Sequence, residues 1–311
     1  MGVLSRIEVI RLETNKVSEP YREKIDIHTI VNKKRVKPKA IVLHLFIIAV
    51  GILMLYPLLW MISSSFKPDS EIFKNISFWP TTFTFENYVK GWEGLSGVSF
   101  GKFFANTFFL VAIAIIGTVI SCSMAAYAFA RLDFAFKKVW FAIMLTTMML
   151  PFHVTVIPQY IIFNKLEWVN TYLPLTLPKF LAGDGFFIFL MVQFIRTIPR
   201  ELDEAAKIDG CGPIRLYSTL IMPLALPALI TTMIFTFIWT WNDFFSQLLY
   251  IGDINLYTVA LGLRMFLDAM GQSSWGSMFA MSTVSLIPLF ALFIFFQRYL
   301  IEGITAGGVK G

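Results

Sequence analysis

Five long stretches without a charged residue constrain the fold more than any other feature of this sequence. They cover residues 40–66, 103–130, 139–164, 216–242 and 269–297. A helix of about 20 apolar residues crosses the hydrocarbon core of a bilayer, so each stretch predicts one membrane-spanning helix. A sixth span is predicted from about Leu181 to Pro199, although Asp184 lies near its start.

The composition of the 311-residue chain agrees with this prediction. Hydrophobic residues make up 57% of the chain and charged residues only 15%, whereas soluble domains have roughly 45–50% and 25%. Such a chain has more apolar surface than one water-soluble core buries, which excludes an ordinary soluble enzyme and a disordered chain. Two cysteines, Cys122 and Cys211, are too few for a disulfide-rich fold.

The basic residues predict how the spans are oriented, because Lys and Arg prefer the cytoplasmic side of short loops. With six spans and both termini in the cytoplasm, most of the 26 Lys and Arg residues lie on the cytoplasmic side. Without the fourth span, the basic residues between 196 and 215 would lie outside. The predicted fold class is therefore all-α, a polytopic membrane protein with six transmembrane helices and cytoplasmic N- and C-termini.

Three segments follow from this topology. Residues 1–39 are polar and basic, and we expect a cytoplasmic N-terminal segment rather than a cleavable signal peptide. Its last seven residues carry five basic side chains, predicted to lie against anionic lipid head groups. No aromatic or glycine-rich pattern accompanies them, so a nucleic-acid partner is not expected. Residues 40–304 form the transmembrane domain, and residues 305–311 form a cytoplasmic tail.

The loop at about 199–223, between the fourth and fifth spans, predicts a short helix across the cytoplasmic face. Pro199 and three acidic residues suit a first helical turn, where free backbone N–H groups favour negative charge. An apolar stripe follows at helical spacing, formed by Leu202, Ala205 and Ala206. Gly210 supplies a stop, and Gly212-Pro213 a turn into the next helix.

This loop resembles the EAA motif of the membrane subunits of binding-protein-dependent ABC importers. The motif reads E-A-A-x-x-x-G, then nine residues, then I-x-L-P. Glu204, Ala205, Ala206 and Gly210 match it, nine residues follow, and Leu220-Ile221-Met222-Pro223 takes the place of I-x-L-P. A cytoplasmic helix without any partner is the alternative interpretation.

Other stretches resemble the carbohydrate branch of these importers, and in particular the maltose-type MalG family. They are ARLDF at 130–134, PFHVTVIPQY at 151–160, NTYLPLTLP at 170–178 and TAGGVKG at 305–311. The resemblance covers roughly residues 40–311. It implies a permease subunit of an ATP-driven importer for a carbohydrate, with an oligosaccharide expected, in the bacterial cytoplasmic (inner) membrane.

The resemblance also implies partners and contacts. The partners are a second, MalF-like permease subunit, two ATPase subunits, an extracytoplasmic sugar-binding protein and membrane lipid. The helix at 201–209 would be the coupling helix seated in the ATPase, with coupling residues Glu204, Ala205, Ala206, Gly210 and Pro223. The tail would reach between the ATPase subunits through Thr305, Gly307, Gly308 and Lys310.

No catalytic, cofactor or metal site is expected in the chain, so it is predicted not to be an enzyme. It has no G-x-x-x-x-G-K-[ST] phosphate-binding loop, and ATP and Mg²⁺ would therefore belong to the partner ATPase. The three histidines, His28, His44 and His153, are far apart in sequence, and no H-E-x-x-H motif occurs.

Five polar or aromatic residues are candidates for a substrate path, because sugars are held by amide hydrogen bonds and aromatic faces. They are Gln159, Gln193, Trp239, Trp241 and Asn242, the last three in a W-x-W-N-D run that resembles sugar-importer permeases. Helix packing explains these residues equally well. Pro151, Pro158, Pro223 and Pro227 are expected to kink the spans.

Three other functions remain open from the sequence. The importer could carry a non-sugar solute such as a polyamine or phosphate. A membrane-embedded enzyme is the second alternative, although the chain lacks a nucleophile–base pair or metal motif. A secondary transporter is the third, and the expected absence of carboxylates from the spans weighs against a proton-driven one.

Overall fold

The structure, a computed structural model, describes residues 38–74, 77–268 and 274–308. Most of the predicted N-terminal segment, residues 1–37, and the end of the predicted tail, residues 309–311, lie outside the described residues. Within those ranges the regular secondary structure is helical, apart from an isolated β-bridge between Leu95 and Val98. The all-α prediction is confirmed for this part of the chain.

The helices are named in chain order. They are α1 (Pro38–Ser64), α2 (Asp69–Ile72), α3 (Glu86–Glu93), α4 (Phe100–Arg131), α5 (Lys137–Thr147), α6 (Phe152–Lys165), α7 (Leu173–Phe180), α8 (Gly185–Thr197), α9 (Glu201–Ile208), α10 (Pro213–Leu224), α11 (Leu226–Asn242), α12 (Phe245–Tyr250), α13 (Val259–Asp268) and α14 (Trp275–Gly308). Within α10, Tyr217–Ile221 form a π-helical turn, and a 3-10 turn at Ile254–Leu256 precedes α13.

By length and composition, four helical segments of the described chain are able to cross a membrane. They are Ile41–Ser64, Phe100–Arg131, Leu173–Thr197 and Trp275–Tyr299. Two further spans are possible if each of two bent helix pairs is counted as one span. These pairs are α5 with α6, bent by 99°, and α10 with α11, bent by 77°. The chain therefore has four to six candidate spans, and the larger number corresponds to the six predicted ones.

The fourth span begins earlier than the sequence predicts and contains a carboxylate. It starts at Leu173 and includes α7 and α8, with Asp184 between them. The Asp184 Oδ2 atom lies 3.0 Å from Lys179 Nζ and 3.4 Å from Thr118 Oγ1. Asp184 is therefore a carboxylate within this candidate span, and Lys179 of the same span neutralises its charge.

Prolines mark both bends, as the sequence predicts. Pro151 has an extended backbone and separates α5 from α6. The second bend lies at Ala225, between Pro223 and Pro227, since each proline removes a backbone donor and crowds the carbonyl of the preceding turn. Pro158 lies inside α6, and the kink expected there stays a prediction.

The chain divides into two compact units, residues 1–57 and residues 58–311. In the first unit, the side chains from Ile41 to Tyr56 are exposed, as suits an apolar helix in lipid.

The second unit contains two hydrophobic clusters, and α4 contributes to both. The first joins α4, α8, α10 and α11 through residues that include Cys122, Ala126, Phe187, Met191, Leu216 and Ala228. The second joins α4, α11, α13 and α14 through residues that include Phe100, Phe103, Trp241, Phe266 and Met281. The helix α4 is therefore the central element of this unit.

Close packing of α4 against α7 predicts the effect of enlarging Gly117. A Cβ atom there would lie 2.7 Å from the Phe180 ring and 3.2 Å from the backbone carbonyl carbon of Lys179. We expect Gly117→Val to destabilise the protein by about 1–3 kcal/mol, as overpacking does, measured as a lower unfolding temperature in detergent. The control is Gly51→Val in α1, where a Cβ meets nothing within 4 Å. Equal unfolding temperatures for the two variants would contradict this packing.

Candidate functional site

The helix α9 begins where the sequence predicts. Glu201, Asp203 and Glu204 occupy its first turn. The backbone N–H groups of Asp203 and Glu204 donate to the Arg200 carbonyl at 2.9 and 3.1 Å. The remaining free N–H groups at this end favour the acidic side chains through the helix dipole.

Gly210 ends α9 with a Schellman turn. The Gly210 N–H donates to the Lys207 carbonyl at 3.0 Å, and the Cys211 N–H donates to the Ala206 carbonyl at 2.9 Å. The φ angle of Gly210 is +79°, a left-handed conformation that glycine adopts without steric cost. Gly212 is extended, and Pro213 starts α10 directly afterwards.

The inner face of α9 differs from the predicted apolar stripe. Asp203 is buried and Ala206 is half-buried against the first hydrophobic cluster, whereas Leu202 and Ala205 are exposed. The stripe is therefore split between two faces of the helix. The cause is a basic partner for Asp203, which the sequence pattern did not reveal.

That partner is Arg131, the last residue of α4. Its Nε atom lies 3.1 Å from Asp203 Oδ2, and the two side chains are only 3% and 10% exposed. The contact is an ion pair at short distance but lacks the alignment of a hydrogen bond. Arg131 Nη2 also donates to the Ile198 carbonyl at 2.7 Å. Removing one partner from a buried pair typically costs about 3–5 kcal/mol, because it leaves an uncompensated charge.

Two more residues of α4 contact the same loop one and two turns earlier. Tyr127 OH donates to the Pro213 carbonyl at 3.0 Å. Ser123 Oγ lies 2.8 Å from Tyr217 OH, and the rings of Tyr127 and Tyr217 are 5.4 Å apart. Ser123, Tyr127 and Arg131 are spaced four residues apart, so they share one face of α4; we call them the polar ladder.

The polar ladder was not predicted from the sequence. Arg131 was expected to help orient the spans and lies in the ARLDF stretch, and Asp203 was expected to suit the start of a helix. The available signal was the repeat of Ser, Tyr and Arg at four-residue intervals at the end of a span, where polar groups tend to face the protein interior.

The outer face of α9 and the following turn form an exposed surface, which we call the docking face. It consists of Glu204, Ala205, Ile208 and Ile214. Ile208 is 86% exposed and Ile214 is 83% exposed. Exposed aliphatic side chains on and directly after a short helix are a candidate surface for binding a partner.

The predicted motif ends at Pro223, which lies next to the π-helical turn. Proline lacks an N–H group and crowds the carbonyl four residues earlier, here that of Thr219. The wider turn at Tyr217–Ile221 includes this carbonyl. Pro223 thus belongs to the bend between α10 and α11 and not to the docking face.

A cleft of about 380 Å³ lies where α11 meets α4 and α7. Its lining includes Leu110, Lys179, Trp239, Asn242 and Asp243. Burial raises the pKa of Asp243, and hydrogen bonds from Ser246 partly oppose this shift. An indole, an amide, an ammonium and a carboxylate together offer the groups that bind a polyhydroxylated ligand.

A second cavity of about 230 Å³ lies on another side of α11. Trp241 and Asn242 line it, with Ser282 and Ser285 of α14. The Trp241 ring is buried and stacks on Phe237 at 5.4 Å. Asn242 therefore contributes to both cavities, while Trp239 lines the first and Trp241 the second.

The other predicted residues lie elsewhere. Gln159 is exposed on α6 and Gln193 is half-buried on α8, and neither lines either of these two cavities. In the predicted tail, α14 continues through Gly308, so Thr305, Gly307 and Gly308 have helical backbone. Lys310 lies outside the described residues. Among the described residues, no group of three or more His, Cys, Asp or Glu side chains is placed to hold a metal ion.

Comparison with known proteins places this arrangement in a family. The profile of the family described as "Binding-protein-dependent transport system inner membrane component" matches residues 117–305. The matched region contains the polar ladder, the docking face and α11, and it makes up more than half of the chain.

Three similar proteins extend over most of the chain. The probable ABC transporter permease protein YurM of Bacillus subtilis is 36% identical over 86% of this chain and 87% of its own length. The trehalose/maltose transport system permease protein MalG of Thermococcus litoralis is 33% identical over 88% and 98%. The arabinooligosaccharides transport system permease protein AraQ of Halalkalibacterium halodurans is 32% identical over 84% and 93%.

A solved structure has a similar fold. It is a crystal structure of a bacterial ABC transporter involved in the import of the acidic polysaccharide alginate, and it matches with a TM-score of 0.75 at 21% identity. The match covers 86% of this chain and 98% of that chain. From the family match and the relatives above 30% identity, the chain belongs to the binding-protein-dependent transport system inner membrane components, the permease subunits of ABC transporters.

Proposed function

We propose that this multi-pass membrane protein is a permease subunit of an ATP-driven importer for a carbohydrate. The observation that carries the proposal is the two-sided helix α9. Its inner face is held to α4 by the buried Arg131–Asp203 pair, and its docking face is exposed. A short helix fixed on one side and open on the other is suited to receive force from a second protein.

In this proposal both termini and α9 lie in the cytoplasm, and the docking face is seated in an ATPase subunit. Glu204 would supply a charged contact at the rim, and Ile208 and Ile214 the apolar centre. ATP and Mg²⁺ are bound by the ATPase, which hydrolyses the nucleotide. Binding of ATP shifts this chain between conformations only if the ATPase contacts them differently.

The importer is completed by other subunits. A second, MalF-like permease subunit would form the other half of the translocation path, two ATPase subunits would bind the two coupling helices, and an extracytoplasmic sugar-binding protein would deliver the ligand. The helical tail through Gly308 would approach the ATPase from the same side of the membrane as α9.

Carbohydrate is the substrate class that the cleft and the relatives favour. Two relatives are permease proteins of a trehalose/maltose and an arabinooligosaccharides transport system, and the Trp239 side chain in the cleft is exposed. A polyamine or phosphate is the alternative substrate. Stimulation of ATP hydrolysis in the complete complex by oligosaccharides, and not by spermidine or phosphate, would distinguish the two.

Charge reversal on the docking face tests the proposed contact with the ATPase. We expect Glu204→Lys to weaken association with the ATPase subunit by about 1–2 kcal/mol, roughly tenfold in affinity, because an interface contact becomes repulsive. Association is measured by copurification of the ATPase at varied concentration. The protein should still insert, and since Glu204 is exposed its unfolding temperature should fall only slightly, through loss of the favourable charge in the first turn of α9.

The matched control is Glu93→Lys, the same change at an exposed residue in α3. It should leave association unchanged. The proposed contact is refuted if Glu204→Lys binds the ATPase as tightly as the wild type does.

Asn242 tests the proposed substrate path, because it lines both cavities. Its Nδ2 atom donates to the Ile238 carbonyl at 2.8 Å, which leaves the amide oxygen available to a ligand. We expect Asn242→Ala to raise the oligosaccharide concentration needed for half-maximal uptake by roughly fivefold, the loss of about one hydrogen bond. Uptake is measured in vesicles that contain the complete importer.

The control for this variant is Asn164→Ala at an exposed position of α6. An unchanged half-maximal concentration for Asn242→Ala, or an equal increase for Asn164→Ala, would remove Asn242 from the path.

A further inference from the structure

We propose that the polar ladder makes α4 and α9 one mechanical unit, so that movement of α9 is delivered directly into the second span. The inference rests on the proposed function of α9 as the coupling helix. It assigns Arg131 and Asp203 as positioning residues, since they act through α9 and do not touch the ATPase or the substrate.

The covalent route from α9 forward to α11 is irregular, whereas the route back to α8 consists of residues 198–200. The chain leaves α9 through the Gly210–Gly212 turn. A Cβ atom added to either glycine would have no other atom within 4 Å, so this turn is loosely packed. It then passes through the π-helical turn and the 77° bend before α11 begins. A connection with so many irregular points transmits displacement poorly.

The noncovalent route is short and polar. Arg131 binds two parts of the loop at once, namely the Asp203 carboxylate in α9 and the Ile198 carbonyl before it. Both groups are buried, so water does not compete for the contact, and a separation of the pair would leave charges without compensation. Moving α9 away from Arg131 would break these two contacts, so the contacts oppose such movement.

The other two residues of the polar ladder, Tyr127 and Ser123, contact the part of the loop that follows α9. Tyr127 binds the Pro213 carbonyl at the start of α10, and Ser123 meets Tyr217 in the π-helical turn. The three residues of the polar ladder thus contact the chain before, within and after α9. The consequence is that α9 and the irregular connection to α11 both follow α4.

The structure of α4 allows it to carry this movement. It extends without a break from Phe100 to Arg131 and contributes to both hydrophobic clusters. At its other end, Asn106 Nδ2 donates to the carbonyls of Asn255 and Tyr257, each at 2.8 Å. Movement at Arg131 would therefore reach the connection between α12 and α13.

The test measures the separation of α4 and α9 in the assembled importer. Spin labels are placed at Asp133, just after α4, and at Lys207 in α9, both exposed or half-exposed, in a Cys211→Ser background. Electron–electron distances are recorded without nucleotide and with MgATP plus vanadate. We expect the same narrow distribution in both states for the wild type. A wild-type distance that changes between the two states overturns the proposal.

Variants test whether the ladder causes this behaviour. Asp203→Asn keeps the shape but removes the charge, and we expect it to broaden the distribution and to lower binding-protein-stimulated ATP hydrolysis by roughly two- to thirtyfold, the usual range for coupling positions. Arg131→Lys should restore part of the loss seen with Arg131→Gln. Tyr127→Phe should have a smaller effect in the same direction, with Tyr160→Phe as its matched control.

Failure of the polar-ladder proposal can be distinguished from failure of the proposed function. Copurification of the ATPase reports whether α9 docks, and we expect Asp203→Asn to retain it, because the docking face is unchanged. If the wild type fails to bind the ATPase, the proposed function fails while the intramolecular distance still reports on the ladder. If docking persists and Asp203→Asn keeps both the wild-type distribution and the wild-type stimulation, the ladder has no positioning role.

Discussion

The packing of α4 is the interaction on which the rest of the described structure depends. Small residues along this helix, including Ala114, Gly117 and Ala126, allow its neighbours to approach closely. Close approach by small residues is how helices associate in lipid, where apolar burial from water gives little driving force. Both hydrophobic clusters, the 380 Å³ cleft and the loop that contains α9 contact the surface created in this way.

The broken helices show how the chain meets a second constraint, that backbone polar groups in a membrane need internal partners. At the break in the fourth span, Gly183 N–H and Leu181 N–H donate to the Pro178 carbonyl, and Asp184 pairs with Lys179. At the second bend, Ala225 N–H donates to the Ile221 carbonyl at 2.8 Å. The irregular segments therefore occur where local groups satisfy them, next to the cleft and the coupling loop.

Much of this fold followed from the sequence, because the relevant signals are local. Uncharged stretches located the spans, Pro151, Pro223 and Pro227 marked both bends, and Gly210 marked the end of α9. These predictions need only the properties of a residue and its near neighbours. The predicted start of the fourth span, about Leu181, was too late, because the span begins at Leu173. Asp184 looked like an isolated charge in the sequence, and its pairing with Lys179 was not visible there.

The polar ladder could not be predicted in the same way. Arg131 and Asp203 are far apart in sequence, and each had an adequate local explanation, as a topology signal and as a helix-start acid. Similarly, Gln159 and Gln193 share the amide chemistry of Asn242, but only Asn242 lies at the two cavities described. Residue type predicted which chemistry is available, whereas the packing of α4 and α11 decides where it is brought together.

Photocrosslinking from the docking face identifies directly the molecule that covers α9. A photoreactive amino acid at position 208 or 214, in the assembled importer within native membranes, reports which molecule covers these exposed isoleucines. A probe at the exposed Phe83 serves as the comparison, since it lies outside the coupling loop. We expect crosslinks from positions 208 and 214 to the ATPase subunit, and none to that subunit from position 83. Crosslinks from 208 and 214 to lipid alone, or to the extracytoplasmic binding protein, would contradict it.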